Sequence, residues 1–448
     1  MRFAIAIGAF LCAQAAWAFS TGPPPQRTGA AVDGGLNCTA CHRTFAPANS
    51  DPRGSVMIEL ASYRPGEKAV IRITVQHPDA NRWGFEITAR KASDDRLPAG
   101  TFTASSTIRV VCGAAGTPAP CNGEKEFATH TQGITRLGSG GKMVFEVEWT
   151  APAEDVGDVV FYAAGNAADG TGNNSNDKIY TTKLLARNAA GCTVTGATST
   201  FGLSNAGSGQ VGLAYNTLFA IYGSGFVSAG RTREAKAFDL VDDRFPTQLD
   251  CVSVLVDGVK VPITYVQENQ INAQARATFP NSGKVELVVN PGTDAEKRFT
   301  VGTYPTVETQ PAFFTYNGTS VAAKFLDGSI VANPAVIAGA RAARPGEIVQ
   351  LFLTGLGVTN PVYQEGEINP GPTPLTHGVV VEINGQALEA PDILYAGLAG
   401  QAISGLYQIN IRIPAGVAAG DRPITVRVAG LSSGGTTQNG TTLPVAAP

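Results

Sequence analysis

Histidine is scarce in this chain, four residues in 448, and methionine scarcer still at three. Any site built on imidazole or thioether therefore has few residues to draw on. Charge is thin as well: charged side chains make up 15% of the chain, the formal net charge is −3, and no cluster of Lys or Arg occurs. Nucleic acid and anionic membrane surfaces both need such a cluster, so neither is an expected partner. Beyond the N-terminus no run reaches the roughly 18 apolar residues of a membrane-spanning helix. There is no nucleophile elbow, zinc-protease helix motif or phosphate-binding glycine loop, and Gly223-Ser224-Gly225 is too short for an elbow, so the chain does not read as an enzyme. What is plentiful is glycine, 52 residues, with Val and Thr recurring in short runs. That profile is all-β and turn-rich, and a prior of about 100–200 residues per domain suggests three domains.

The first residues read as an export signal spanning 1–18. Arg2 supplies the positive end, Phe3 to Leu11 the apolar stretch, and Ala16-Trp17-Ala18 the small-x-small cleavage site. Cys12 lacks the small residue that a lipid-attachment box needs just before its cysteine. The mature chain is expected outside the cytoplasm, secreted, periplasmic or at the cell surface.

Residues 19–52 show almost no apolar periodicity, contain Gly22-Pro23-Pro24-Pro25, and read as an irregular arm. Within it lies Cys38-Thr39-Ala40-Cys41-His42. Two thiols at this spacing can attach to the vinyl groups of a haem, and the histidine that follows is then placed to ligate its iron. With only seven Cys and four His in the chain, a chance match is improbable. The expected cofactor is haem c, with Cys38 and Cys41 as thioether anchors and His42 as axial ligand. A local disulfide and half of a zinc site are the competing readings; zinc would want a second Cys or His pair at short spacing. His130, in the polar segment Glu124 to Gly133 that reads as a loop, is the first choice for the sixth iron ligand, against a solvated loop histidine. His77 is the second choice, Met143 and Met57 are thioether alternatives, and His377 reads as structural or exposed.

From about Ser55 apolar residues alternate with a period of two. Ala69, Ile71, Ile73 and Val75 oppose Val70, Arg72 and Thr74; Phe85, Ile87 and Ala89 oppose Glu86, Thr88 and Arg90; Met143, Phe145, Val147 and Trp149 oppose Val144, Glu146 and Glu148. These read as half-buried strands of a sandwich over 53–187, with Val159 to Ala164 as a central strand. Two further units, 191–303 and 304–448, repeat one pattern. Leu218 to Gly225, Val252 to Val256 with Asp257-Gly258, and Gln270-Ile271-Asn272 correspond to Ile348 to Gly357, Val379 to Ile383 with Asn384-Gly385, and Gln408-Ile409-Asn410. Such a repeat is the mark of a tandem duplication, and Asp-Gly and Asn-Gly are residues that type I′ hairpin turns require. The expected fold is three immunoglobulin-like β-sandwiches in series.

Two family resemblances rest on these residues. The arm Ser20 to Ala30, the Cys-x-x-Cys-His run, Asn81-Arg82-Trp83-Gly84-Phe85 and Phe161 to Ala168 resemble bacterial secreted proteins with a reelin-type (Reeler) domain. In that family a Cys-x-x-Cys-His arm precedes the sandwich, and a His-Thr pair, here His130-Thr131, precedes a strand ending in Trp-Thr-x-Pro, here Trp149 to Pro152. Tyr395 to Ala399 with Gly405 to Gly416 is similar to a C-terminal module of exported acidobacterial proteins, the Solibacter type, whose first half resembles the IPT/TIG immunoglobulin-like fold. That module implies no activity. Function is thus expected to be electron transfer or haem-linked sensing at the cell envelope through an unknown redox partner. The alternative is a non-enzymatic adhesion or matrix-binding protein with a cell-surface ligand and no haem.

The remaining mature cysteines are expected to pair locally, Cys112 with Cys121 and Cys192 with Cys251, among three possible pairings. Asp169, Thr171, Asn173, Ser175 and Asp177 alternate like a calcium loop, but Asn174 and Tyr180 stand where an EF-hand needs glycine and an acid. A hairpin loop is the favoured reading and an irregular calcium site the alternative.

Overall fold

The structure, a computed structural model, describes residues 20–60, 62–136, 138, 140–190, 200–278, 282–293, 295–428 and 440–447. The expected signal segment and Cys192 lie outside the described residues. Among the described residues there is no α-helix, only strands and short 3₁₀ turns, so the all-β expectation holds. No described helix is long and apolar enough to cross a membrane. The chain divides into two compact units, residues 1–189 and 190–448.

The first unit is a sandwich of ten strands: β1 (Ser55–Glu59), β2 (Lys68–Gln76), β3 (Arg82–Lys91), β4 (Thr101–Phe102), β5 (Ile108–Cys112), β6 (Thr117–Pro118), β7 (Glu126–His130), β8 (Lys142–Thr150), β9 (Val159–Ala168) and β10 (Lys178–Ala186). One sheet runs β1-β2-β8-β4 and the other β10-β9-β3-β7-β5-β6. Period-two alternation lets β2 and β8 turn Ile71, Ile73, Phe145, Val147 and Trp149 inward against Phe85, Ile87 and Phe161 of the second sheet. Trp149 anchors this core, edge-on to Tyr63 and Phe161, with its indole N–H donated to the Ala99 carbonyl at 3.0 Å. Cys112 and Cys121 form the local disulfide.

The outer face of the second sheet departs from the sequence reading. Glu86, Thr88 and Arg90 were expected to face water, yet all three are fully buried. The cause is the arm, which packs over them and covers the face with its own polar groups. Asp33, at the end of a 3₁₀ turn, accepts from Arg90 at 2.7 Å and from Lys125 at 3.0 Å. Thr88 Oγ1 accepts from Arg90 Nε, and the guanidinium lies over the Phe127 ring. Glu86 takes the backbone N–H of Arg27 at 2.7 Å on one carboxylate oxygen and has no partner on the other. Burial pushes its pKa up to about 8, so the group is held largely as the neutral acid at pH 7. The arm is irregular, as expected, with a single bridge between Thr28 and Asn37. It is also part of the fold rather than an appendage.

The second unit holds two separate apolar cores, one around Phe219, Val254 and Ile271, the other around Leu351, Val381 and Ile409. The duplicated pattern appears as duplicated pairing. Leu218–Tyr222 pairs with Gln270–Gln274, and Ile348–Thr354 with Tyr407–Arg412. Each of those second strands meets its other neighbour across a bulge, at Ile263/Tyr265 and at Ile393/Tyr395. Asp257 and Gly258 have φ of 51° and 77°, Asn384 and Gly385 54° and 76°, the left-handed pair that a type I′ turn demands. Cys251 is buried in the first of these cores. Because both cores close within residues 190–448, a protein limited to these residues is expected to be rich in β structure and to melt cooperatively, with circular dichroism as the check. Aggregation or a disordered spectrum would show that the first unit is needed to complete it.

Candidate functional site

Asn37 begins the site. Its side chain accepts the Thr39 N–H at 2.9 Å and caps a 3₁₀ turn over Cys38–Ala40, after which the N–H groups of Cys41 and His42 both bond back to the Cys38 carbonyl. In a 3₁₀ turn positions i and i+3 eclipse, which brings Cys38 and Cys41 to one side, and His42 follows directly on Cys41. All three line one cleft of about 260 Å³, a little below the roughly 300–1,000 Å³ of most ligand clefts. Both cysteines are free thiols. Burial, and then the neighbouring Glu86, push the Cys38 thiol up to about 12, so it is held protonated. Among the described residues no group of three or more His, Cys, Asp and Glu is arranged to hold a metal ion.

His42 is oriented from the far end of the domain. Its Nδ1 lies 2.6 Å from Asp177 Oδ2, and its Nε2 lies 3.4 Å from Asn166 Nδ2. A carboxylate can only accept, so the Asp177 contact puts a proton on Nδ1, which in the neutral ring leaves the lone pair on Nε2 beside Asn166. The loop before Asp177 grips the motif again: Asn174 Nδ2 donates to the Cys41 carbonyl at 2.9 Å, and Asn176 N–H to Thr44 Oγ1 at 3.2 Å. The calcium-like alternation has a local explanation. Asp169 Oδ1 accepts from the Thr171 N–H and hydroxyl, and Asn173 Oδ1 from those of Ser175, the side-chain turns that Asp and Asn favour.

His130 reaches the same cleft, but not from a loop. It ends β7, a strand buried on both faces because the arm covers one of them. Its Nδ1 sits 3.0 Å from the Phe85 nitrogen and 3.2 Å from the Phe85 carbonyl oxygen, so either neutral tautomer finds a partner. Burial pushes its pKa down to about 4, so the ring stays neutral at physiological pH. Gly84 makes room for it: a Cβ there would come within 2.6 Å of His130 Cε1. Gly84 pairs directly across the sheet with Asn166, the residue touching His42. The two imidazoles therefore contact opposite members of one cross-strand pair, positions roughly 5 Å apart. Trp83, Phe85, Arg27 and Arg82 also border the cleft; the two aromatic side chains are buried in the sandwich core, and the two arginines bring positive charge.

The other candidates lie elsewhere. His77 is buried with Nε2 3.1 Å from Asp51 and Nδ1 accepting the Asp79 N–H, so both ring nitrogens are engaged. Met143 is in the sandwich core and Met57 is exposed on β1. His377, in the second unit, stands 3.5 Å from Glu308. Sequence reasoning missed Asp177, Asn166 and Gly84. Gly84 and Asn166 lie in segments singled out by resemblance, and Asp177 in the calcium-like loop.

Residues 37–166 match the Reeler domain family. The Reeler match begins one residue before the first motif cysteine and ends at Asn166, so it contains Cys38, Cys41, His42, Gly84 and His130 but stops short of Asp177. No curated protein matches the chain. Among solved structures it is similar to the reeler domain of human F-spondin, with 21% identity, 30% of this chain and 89% of that chain covered, and a TM-score of 0.19. A structure of the Reelin-N domain of F-spondin gives 21% identity over 30% and 87% of the two chains, with a TM-score of 0.19. A type I cohesin–dockerin complex from Clostridium thermocellum gives 12% identity over 28% and 96%, again with a TM-score of 0.19.

Proposed function

We propose that this chain is an exported, non-enzymatic protein that carries haem c in the cleft of its Reeler domain and serves electron transfer or haem-linked sensing at the cell envelope. The observation that carries the reading is the convergence of Cys38, Cys41 and His42 with a second, neutral imidazole, His130, on one cleft. The donor set would suit the group: two thiols for thioether bonds, two imidazoles able to ligate the iron, and the Arg27 and Arg82 guanidinium groups for carboxylates. When bound, the haem supplies one-electron chemistry. The protein's part would be to anchor it through Cys38 and Cys41, to hold His42 oriented by Asp177 and Asn166, and to keep His130 neutral by burial.

The test is a visible spectrum of the protein made with a cytochrome c maturation system. A Soret band that survives denaturation belongs to covalent haem. A colourless protein would favour the other reading, an extracellular adhesion or matrix-binding protein without haem, which draws on the Reeler match. In the loaded protein His130→Ala is expected to turn a low-spin spectrum into a high-spin one, because a strong-field ligand is lost. An unchanged spectrum, with a shift in His77→Ala instead, would remove His130 from the site.

A further inference from the structure

We infer that Asp177 is a positioning residue for His42: it fixes the imidazole in the Nδ1–H tautomer, aims the Nε2 lone pair into the cleft, and through its charge lowers the reduction potential of an iron bound there. The inference deepens the haem reading and rests on it only for the last of these effects.

The geometry is that of a built contact. Asp177 is 2% exposed and its Oδ2 stands 2.6 Å from His42 Nδ1, a length typical of a charge-assisted hydrogen bond. Its other oxygen accepts the Asp169 N–H at 3.3 Å, so the carboxylate is held at both ends. The loop it closes makes two further bonds to the motif, from Asn174 to Cys41 and from Asn176 to Thr44. Asn166 Nδ2 faces Nε2 at 3.4 Å from the other side of the ring. A histidine that ligates a metal almost always donates its second N–H to such a group, which fixes the ring and makes it a stronger donor. A buried anion behind the ring favours the more positive, oxidised iron, and this gives the sign of the potential shift.

The experiment compares wild type with Asp177→Asn and Asp177→Glu. In the haem-free protein, long-range ¹H–¹⁵N correlation at alkaline pH reads the tautomer of His42 directly. Wild type is expected to show Nδ1–H with a far-downfield proton. Asp177→Asn should lose that downfield proton, and Asp177→Glu should restore it at least in part. In the loaded protein, potentiometry should give a higher potential for Asp177→Asn than for wild type, at an unchanged thermal melt. An Nε2–H tautomer in wild type would overturn the positioning role whether or not haem is ever attached. A wild type that attaches no haem overturns the haem reading and the potential shift with it, while the tautomer result stands. Equal potentials in loaded wild type and Asp177→Asn overturn the electrostatic part alone.

Discussion

Replacing Cys38 and Cys41 together by alanine is expected to abolish haem staining on a denaturing gel while leaving the first unit folded. The loss should be complete, because thioether bonds are the only links that survive denaturation and no other free thiol occurs among the described residues. The fold should persist because the arm is held by other groups: Asp33 on Arg90 and Lys125, the Arg27 N–H on Glu86, and Asn174 on the Cys41 carbonyl, a backbone atom that alanine keeps. Tryptophan fluorescence can follow the melt of this unit selectively. The three tryptophans are Trp17, Trp83 and Trp149, and none lies in the second unit. A wild type that takes no stain sinks the reading. A double variant that unfolds would mean instead that the cysteine turn nucleates the docked arm.

Asp33→Ala is expected to be the most destabilising single change in the arm. It would leave the Arg90 guanidinium, which is fully buried, without its carboxylate, and strip Lys125 of its partner. Removing one member of a buried pair typically costs about 3–5 kcal/mol, because the remaining charge stays desolvated. In a domain of this size that lowers the Tm by on the order of 10 °C. Burial already pushes the Arg90 pKa down, with Asp33 the chief opposing influence. Asp33→Leu combined with Arg90→Met should recover much of the loss, since an apolar pair of similar volume avoids both desolvation penalties. A fluorescence melt of Asp33→Ala within a degree of wild type would show that water reaches Arg90 and that the arm is not sealed.

Much of this protein follows from local pattern, and local pattern is what a sequence displays. Alternation marked β2, β3 and β8 because a strand turns successive side chains to opposite faces, and an unbroken apolar run marked β9. Asp257-Gly258 and Asn384-Gly385 announced their turns because positive φ is a property of two residues, not of the fold. The spacing of Cys38 and Cys41 set them on one side of a turn for the same reason. Period two says only that two faces differ, however, and not which of them meets water. Glu86, Thr88 and Arg90 read as solvent-facing because nothing local shows that residues some 60 positions earlier will cover them. His130 read as a loop residue because Glu126 to His130 lacks a clean apolar face; with the arm on one side and the core on the other, that strand needs none. The pairing of Asp177 with His42 spans 135 positions and leaves no periodic trace. Buried charges are tolerable only in company, and the company is chosen by how the chain closes in three dimensions. The sequence by itself determined the fold class, the repeated pattern and the presence of the Cys-x-x-Cys-His run, whereas only the tertiary structure decided which polar groups are buried, which histidine joins the cleft and which carboxylate meets His42.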